Sequence, residues 1–123
     1  MLLTLTDVLT NAEVAQARAW LADAPWEVGA LTAGKQAASV KSNQQLPQDC
    51  EAAVNIRDMV LQALNANATF FSATLPKRIY PPRCNRYAGE SNFFGNHIDG
   101  AIRMLGHDKR VRTDISCTLF LSE

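Results

Sequence analysis

The sequence has no excess of charge of either sign. Twelve Lys and Arg cancel twelve Asp and Glu, so no overall field draws the chain to nucleic acid or to anionic lipid. It also lacks any C-x-x-C pair. Cys50, Cys84 and Cys117 are odd in number and far apart, which suits free thiols in a reducing cytoplasm better than a disulfide framework. Nowhere do eighteen apolar residues follow one another, and the opening MLLTLTDVLTNAE carries Asp7 and Glu13 without a basic start. The expectation is an unexported cytoplasmic protein that neither crosses a membrane nor binds nucleic acid. There is no internal repeat and no low-complexity segment, and His97 and His107 are the only histidines.

What is present is the composition of a globular domain, with 47% hydrophobic and 20% charged residues among 123. The first element is a helix starting at Thr10, because Thr10-Asn-Ala-Glu13 has the reciprocal capping pattern and Val14, Ala17, Leu21 and Ala24 follow at helical spacing up to Pro25. From Trp26 to Val40, Gly29, Gly34 and β-branched residues predict a strand or two, and KSNQQLP (41–47) reads as a polar connection. A second helix is expected from about Asp49 to Leu64, with Ala53, Ile56, Val60 and Leu64 on one stripe.

Beyond it the periodicity shortens. TFFSATL, KRIYPP, RCNRYA, NFFGNHID and TDISCTLFLSE are short segments rich in aromatic or β-branched residues, separated by Pro81-Pro82, Gly89, Gly95 and Gly100, so the second half reads as mainly β. Apolar Ile115, Cys117, Leu119 and Leu121 alternate with Ser116, Thr118, Phe120 and Ser122, the pattern of a strand that needs neighbours on both sides. An unpaired edge of that kind favours association with a second copy.

His97-Ile-Asp99 is the sharpest chemical signal. In an extended strand residues i and i+2 point to the same side, so an imidazole and a carboxylate converge on one point. Two His and one carboxylate on one face of an octahedron leave three positions for cosubstrate and O₂ at Fe(II). A His hydrogen-bonded to a nearby Asp at the surface gives the same tripeptide.

The surrounding stretch NRYAGESNFFGNHIDGAIR (85–103), together with GKQAASVKSNQQL (34–46), LPKRIYPP (75–82) and RTDISCTLFL (112–121), resembles the PKHD-type hydroxylases, bacterial members of the prolyl 4-hydroxylase branch of the Fe(II)/2-oxoglutarate oxygenases. The likeness covers about Trp26 to Glu123. It implies an α+β fold, with N-terminal helices packed on a partial double-stranded β-helix, a jelly roll holding iron at its mouth. Residues 1–75 would form the helical and strand support of a single domain, and 76–123 the first strands of the dioxygenase core.

The resemblance maps the first metal-ligand pair onto His97 and Asp99. Tyr87, ten residues before His97, matches a tyrosine whose phenol donates to a 2-oxoglutarate carboxylate in related prolyl hydroxylases, though a core aromatic would stand there equally well. Thr118 and Phe120, on one face with Ser116, would help shape the cosubstrate cavity; ordinary core packing is the competing reading for Phe120. Asn85 and Arg86 read as site rim or as solvated strand edge, and Arg103 as a surface charge or a substrate-facing cation.

The family pattern also has a later histidine and, after it, an Arg or Lys that pairs with the distal carboxylate of 2-oxoglutarate. Neither matches here: His107 lies in LGHDKR, read as a loop between strands, and Arg110 and Arg112 read as surface charges. The expectation is therefore a truncated core with the C-terminal strands missing. Implied cofactors are Fe(II), 2-oxoglutarate as cosubstrate and ascorbate as reductant. Implied partners are O₂ and an unidentified peptide or small molecule, and relatives named for iron uptake suggest a link to iron or siderophore metabolism. Two other readings stay open, a non-catalytic remnant that associates through an open sheet edge and a cupin-like metal-binding domain. A basic cluster of Lys77, Arg78, Arg83 and Arg86 with Tyr80 and Tyr87 is better explained by solvated strand charges than by nucleic acid.

Overall fold

In the computed structural model, residues 2–29, 41–90, 93–94 and 99–122 are described. The element order among them is α1 (Asn11–Ala22), β1 (Glu27–Val28), β2 (Lys41–Ser42), β3 (Gln44–Gln45), α2 (Glu51–Ala66), α3 (Ala68–Thr74), β4 (Asn85–Arg86), β5 (Phe93–Phe94), β6 (Ile102–Leu105) and β7 (Lys109–Arg112). The fold is α+β.

α1 begins where the capping pattern puts it. Thr10 Oγ1 accepts from the Glu13 amide at 3.2 Å and the Thr10 amide donates to Glu13 Oε2 at 3.0 Å, which satisfies two donors that the first helical turn leaves open. The helix closes at Ala22 with Asp23 as its C-cap, two residues ahead of Pro25. Ala17, fully enclosed at 0% exposure, is small enough for α2 to pack closely on α1. Leu9, Ala17, Ile56 and Val60 form the buried cluster, and Val14, Trp20, Leu21, Met59, Cys84 and Leu121 pack around it. The stripe expected on α2 is the one buried, at Ala53, Ile56 and Val60. The N-cap, however, is Cys50 rather than Asp49, and its side chain makes no capping hydrogen bond.

TFFSATL is a helix, not a strand. Asn67 ends α2 and caps α3, accepting from the Phe70 amide through Oδ1 at 2.8 Å. That bond starts a new helix against the local aromatic and β-branched preference. Phe70 is buried, and Leu75 closes α3 in the left-handed region at φ 42°.

Among the described residues the strands form three antiparallel sheets. β1, β3 and β4 lie in the order β1-β3-β4, β2 pairs with β5, and β6 with β7. The described residues do not close these into a jelly roll. The expected polar connection at 41–47 instead contributes two strands, β2 and β3. LGHDKR is a tight turn: Leu105 pairs with Lys109 across Gly106-His107-Asp108, and Gly106 takes the positive φ of 71° that this reversal requires. Ile115–Leu121, expected as a strand, joins no ladder among the described residues. Alternation prepares a strand, but only a partner's N–H and C=O groups complete one. Of the strands expected between Trp26 and Val40, β1 is present, and 30–40 lie outside the described residues.

Candidate functional site

Asp99 stands at the mouth of the β6–β7 hairpin, and that mouth is tied shut. Thr113 donates through its amide to the Ala101 carbonyl at 2.9 Å and through Oγ1 to the Gly100 carbonyl at 3.0 Å. These bonds extend the ladder one pair past Ile102↔Arg112 and hold the backbone next to Asp99, an exposed residue. Sequence reading missed Thr113, because a threonine beside a strand carries no signal until its partner is known. His97 lies outside the described residues. Among the described residues no group of three or more His, Cys, Asp or Glu gathers to hold a metal.

Tyr87 follows β4 directly. β4 pairs with β3 in the register Gln45↔Asn85 and Gln44↔Arg86, and alternation puts Asn85 and Tyr87 on one face and Arg86 on the other. The burial agrees, with Asn85 and Tyr87 exposed and Arg86 half-buried. Arg86 stacks its guanidinium 4.4 Å from the centre of the Trp26 ring and donates through Nε to Gln44 Oε1 at 2.8 Å. It therefore braces the sheet rather than joining a basic surface cluster.

On the Tyr87 face the polar strands explain themselves. Asn43 Nδ2 donates to Asn85 Oδ1 at 3.0 Å and Gln45 Nε2 donates to the same oxygen at 2.6 Å. Asn43 is 2% exposed and Gln45 is also buried. Amides that satisfy one another in this way allow a polar sequence to form an interior strand. Asn43 Oδ1 is buried and has no hydrogen-bond partner among the described residues.

Of the remaining expected residues, Arg103 lies beside Asp99's neighbour Gly100, its guanidinium carbon 3.9 Å from where a Cβ on that glycine would stand. Thr118 and Phe120 lie in the unpaired segment after β7, where Ser116 and Thr118 are exposed and Phe120 is 81% exposed. From this segment Leu121 packs against the buried cluster. His107 is exposed in the hairpin turn and Arg103 is exposed on β6. Arg112 pairs with Asp114 at 2.8 Å with both side chains largely in solvent, which contributes little to stability. Surface hollows of about 380 and 320 Å³ are lined by Trp20, Pro25, Cys50 and neighbours and by Leu61, Phe71, Arg78 and neighbours; none of the expected site residues lines either. Burial, reinforced by nearby Cys50, pushes the Cys84 thiol pKa above its ordinary value.

No protein-family model matches the chain. It is nevertheless similar over its whole length to curated hydroxylases. A PKHD-type hydroxylase of Polaromonas sp. (strain JS666 / ATCC BAA-500) is 56% identical over 124 residues, which is 100% of this chain and 55% of the relative. One of Variovorax paradoxus (strain S110) is 54% identical over 99% of this chain and 54% of the relative. One of Nitrosomonas europaea is 55% identical over 100% of this chain and 55% of the relative. The sequence is thus that of a hydroxylase-family chain. It belongs to the PKHD-type hydroxylases, and it spans about half the length of the curated relatives it matches.

Proposed function

We propose that this chain supplies the His97–Asp99 part of an Fe(II)- and 2-oxoglutarate-dependent dioxygenase centre that hydroxylates a C–H bond in a peptide or small molecule. The observation that carries the reading is the 54–56% identity to proteins named hydroxylases along the whole chain. The donor chemistry fits the group. Asp99 is an exposed carboxylate on backbone pinned by Thr113, two residues from an imidazole, and Tyr87 presents an exposed phenol on a braced strand.

In this account His97 and Asp99 hold the iron, and Tyr87 donates its O–H to a carboxylate of 2-oxoglutarate. Bound iron supplies the oxidising chemistry, with O₂ consumed, 2-oxoglutarate converted to succinate and CO₂, and ascorbate keeping the metal reduced. Asn43, Gln45, Arg86 and Trp26 keep the β3–β4 register on which the position of Tyr87 depends. Thr118 and Phe120, exposed here, are proposed to line the cosubstrate cavity once a covering layer is in place, within a jelly roll that the relatives' remaining length would complete. The three cysteines are free thiols, which supports a reducing cytoplasmic setting, and no described helix is long and apolar enough to cross a membrane.

Equilibrium binding of Fe(II) under anaerobic conditions tests the metal assignment. The account expects His97→Ala and Asp99→Ala each to weaken binding by more than about tenfold, with helical content unchanged. Equal affinity in the wild type and both variants removes these residues from the metal site.

A further inference from the structure

We propose that Cys50 and Cys84 are a reversible redox pair, joined as a disulfide when a peroxide oxidises Cys50, and that the bond ties the start of α2 to the residue ahead of β4. The fold brings the two together from distant positions. Leu46 donates through its amide to the Cys84 carbonyl at 3.3 Å, one pair beyond Gln45↔Asn85 in the β3–β4 ladder. The chain then reverses at once. The Cys50 amide donates to the Pro47 carbonyl at 3.3 Å, the bond that closes a β-turn, and this carries Cys50 back toward the end of the ladder where Cys84 stands. The electrostatics agree. Burial first and Cys50 second push the Cys84 thiol pKa up, and the second effect requires the two groups to be close in space.

The surroundings of the two sulfurs divide their roles. Cys50 is half-buried, makes no capping hydrogen bond at the start of α2 and lines the hollow of about 380 Å³ beside Trp20 and Pro25, so a small oxidant reaches it from solvent. Cys84 packs against the buried cluster. Cys117, exposed and beyond the β6–β7 hairpin, has no part in the pair.

Hydrogen peroxide serves as the oxidant. The Cys50 sulfur takes one of its oxygens, the O–O bond breaks, and a sulfenic acid and one water result. The Cys84 sulfur then attacks the Cys50 sulfur. The S–O bond breaks, and the hydroxyl leaves with the Cys84 proton as a second water. Two thiols give up two electrons in all, and the peroxide is reduced. A disulfide requires Cα atoms within about 7 Å of each other. The residues from Pro47 to Cys50 belong to neither ladder nor helix, so the turn can adjust to that spacing. The closed bond staples α2 to the strand that leads into Tyr87, and a thiol reductant releases it.

The test treats the reduced whole chain with stoichiometric hydrogen peroxide, quenches in acid, alkylates with iodoacetamide under denaturing conditions and maps the peptides by mass. Wild type and Cys117→Ser are both expected to give a peptide pair joined through Cys50 and Cys84, two hydrogens lighter than the sum of its parts. Dithiothreitol should restore both thiols. The same link should form at least about tenfold more slowly in urea, where the fold no longer holds the thiols together. Full alkylation of Cys50 and Cys84 after peroxide, a sulfenic or higher acid at Cys50 without the link, a link to Cys117 instead, or equal rates with and without urea would each overturn the pair.

Discussion

Gly29 shows how far a single residue's meaning depends on its neighbour across the sheet. Its amide donates to the Asn43 carbonyl at 2.8 Å, and its missing side chain makes room for the Asn43 amide. Gly29→Ala should therefore destabilise the fold by about 1–3 kcal/mol through overpacking, measured by urea denaturation; an unchanged midpoint would show that Asn43 moves aside freely. From the sequence, Gly29 reads only as a turn or strand breaker, and Asn43 and Gln45 as loop residues. Their partner Asn85 is forty residues or more away, and no local pattern announces it.

Cys84 gives a pH prediction with a definite sign. Burial, with Cys50 nearby, holds its thiol protonated to higher pH than in the unfolded chain. Below the ordinary thiol range the group is protonated in both states and its contribution is complete. As pH rises past about 8.5 the unfolded chain ionises first, so stability falls until the folded thiol also loses its proton. Denaturation midpoints should decline through this range and decline less in Cys84→Ala. Exposed Cys117 should react with a thiol reagent well before Cys84.

At the scale of elements, the two helix caps differ in how visible they were. Thr10 and Glu13 form a two-residue signature that can be read directly, and α1 starts where they predict. Asn67 is a lone polar residue between two helices, followed by aromatic and β-branched residues that favour a strand. Its cap shows only in the bond to the Phe70 amide, so the strand expectation for TFFSATL failed on a single hydrogen bond. Thr10→Ala and Asn67→Ala should each cost about 1 kcal/mol, with helical circular dichroism falling at intermediate denaturant. Neutral effects would mean that tertiary packing sets both boundaries. α2 was legible because Ala53, Ile56 and Val60 repeat at helical spacing. Its exact start was not, because Cys50 caps through backbone position rather than through a recognisable side chain.

Across the whole molecule, the buried cluster is built from Leu9 ahead of α1, Ala17 on α1 and Ile56 and Val60 on α2, whereas Ile115, Leu119 and Phe120 lie exposed. Alternation predicted that these residues need cover, and it could not say what provides it. Exposed apolar side chains in one short segment favour association. Sedimentation should show self-association that rises with concentration and falls in Phe120→Asp, and identical behaviour of the two chains would separate Phe120 from any contact. The family signature was legible because it is local, with Tyr87, His97 and Asp99 inside one stretch. Asn43, Gln45 and Thr113, which brace that stretch, were not, because their roles arise from pairing between distant or unremarkable positions.

The central claim, a 2-oxoglutarate site built on His97 and Asp99, is tested most directly by anaerobic titration of the Fe(II)-loaded chain with 2-oxoglutarate, following the visible metal-to-ligand absorption band of the chelate. The account predicts a saturable band that disappears in His97→Ala and Asp99→Ala. No band, or a band that survives both substitutions, would contradict it.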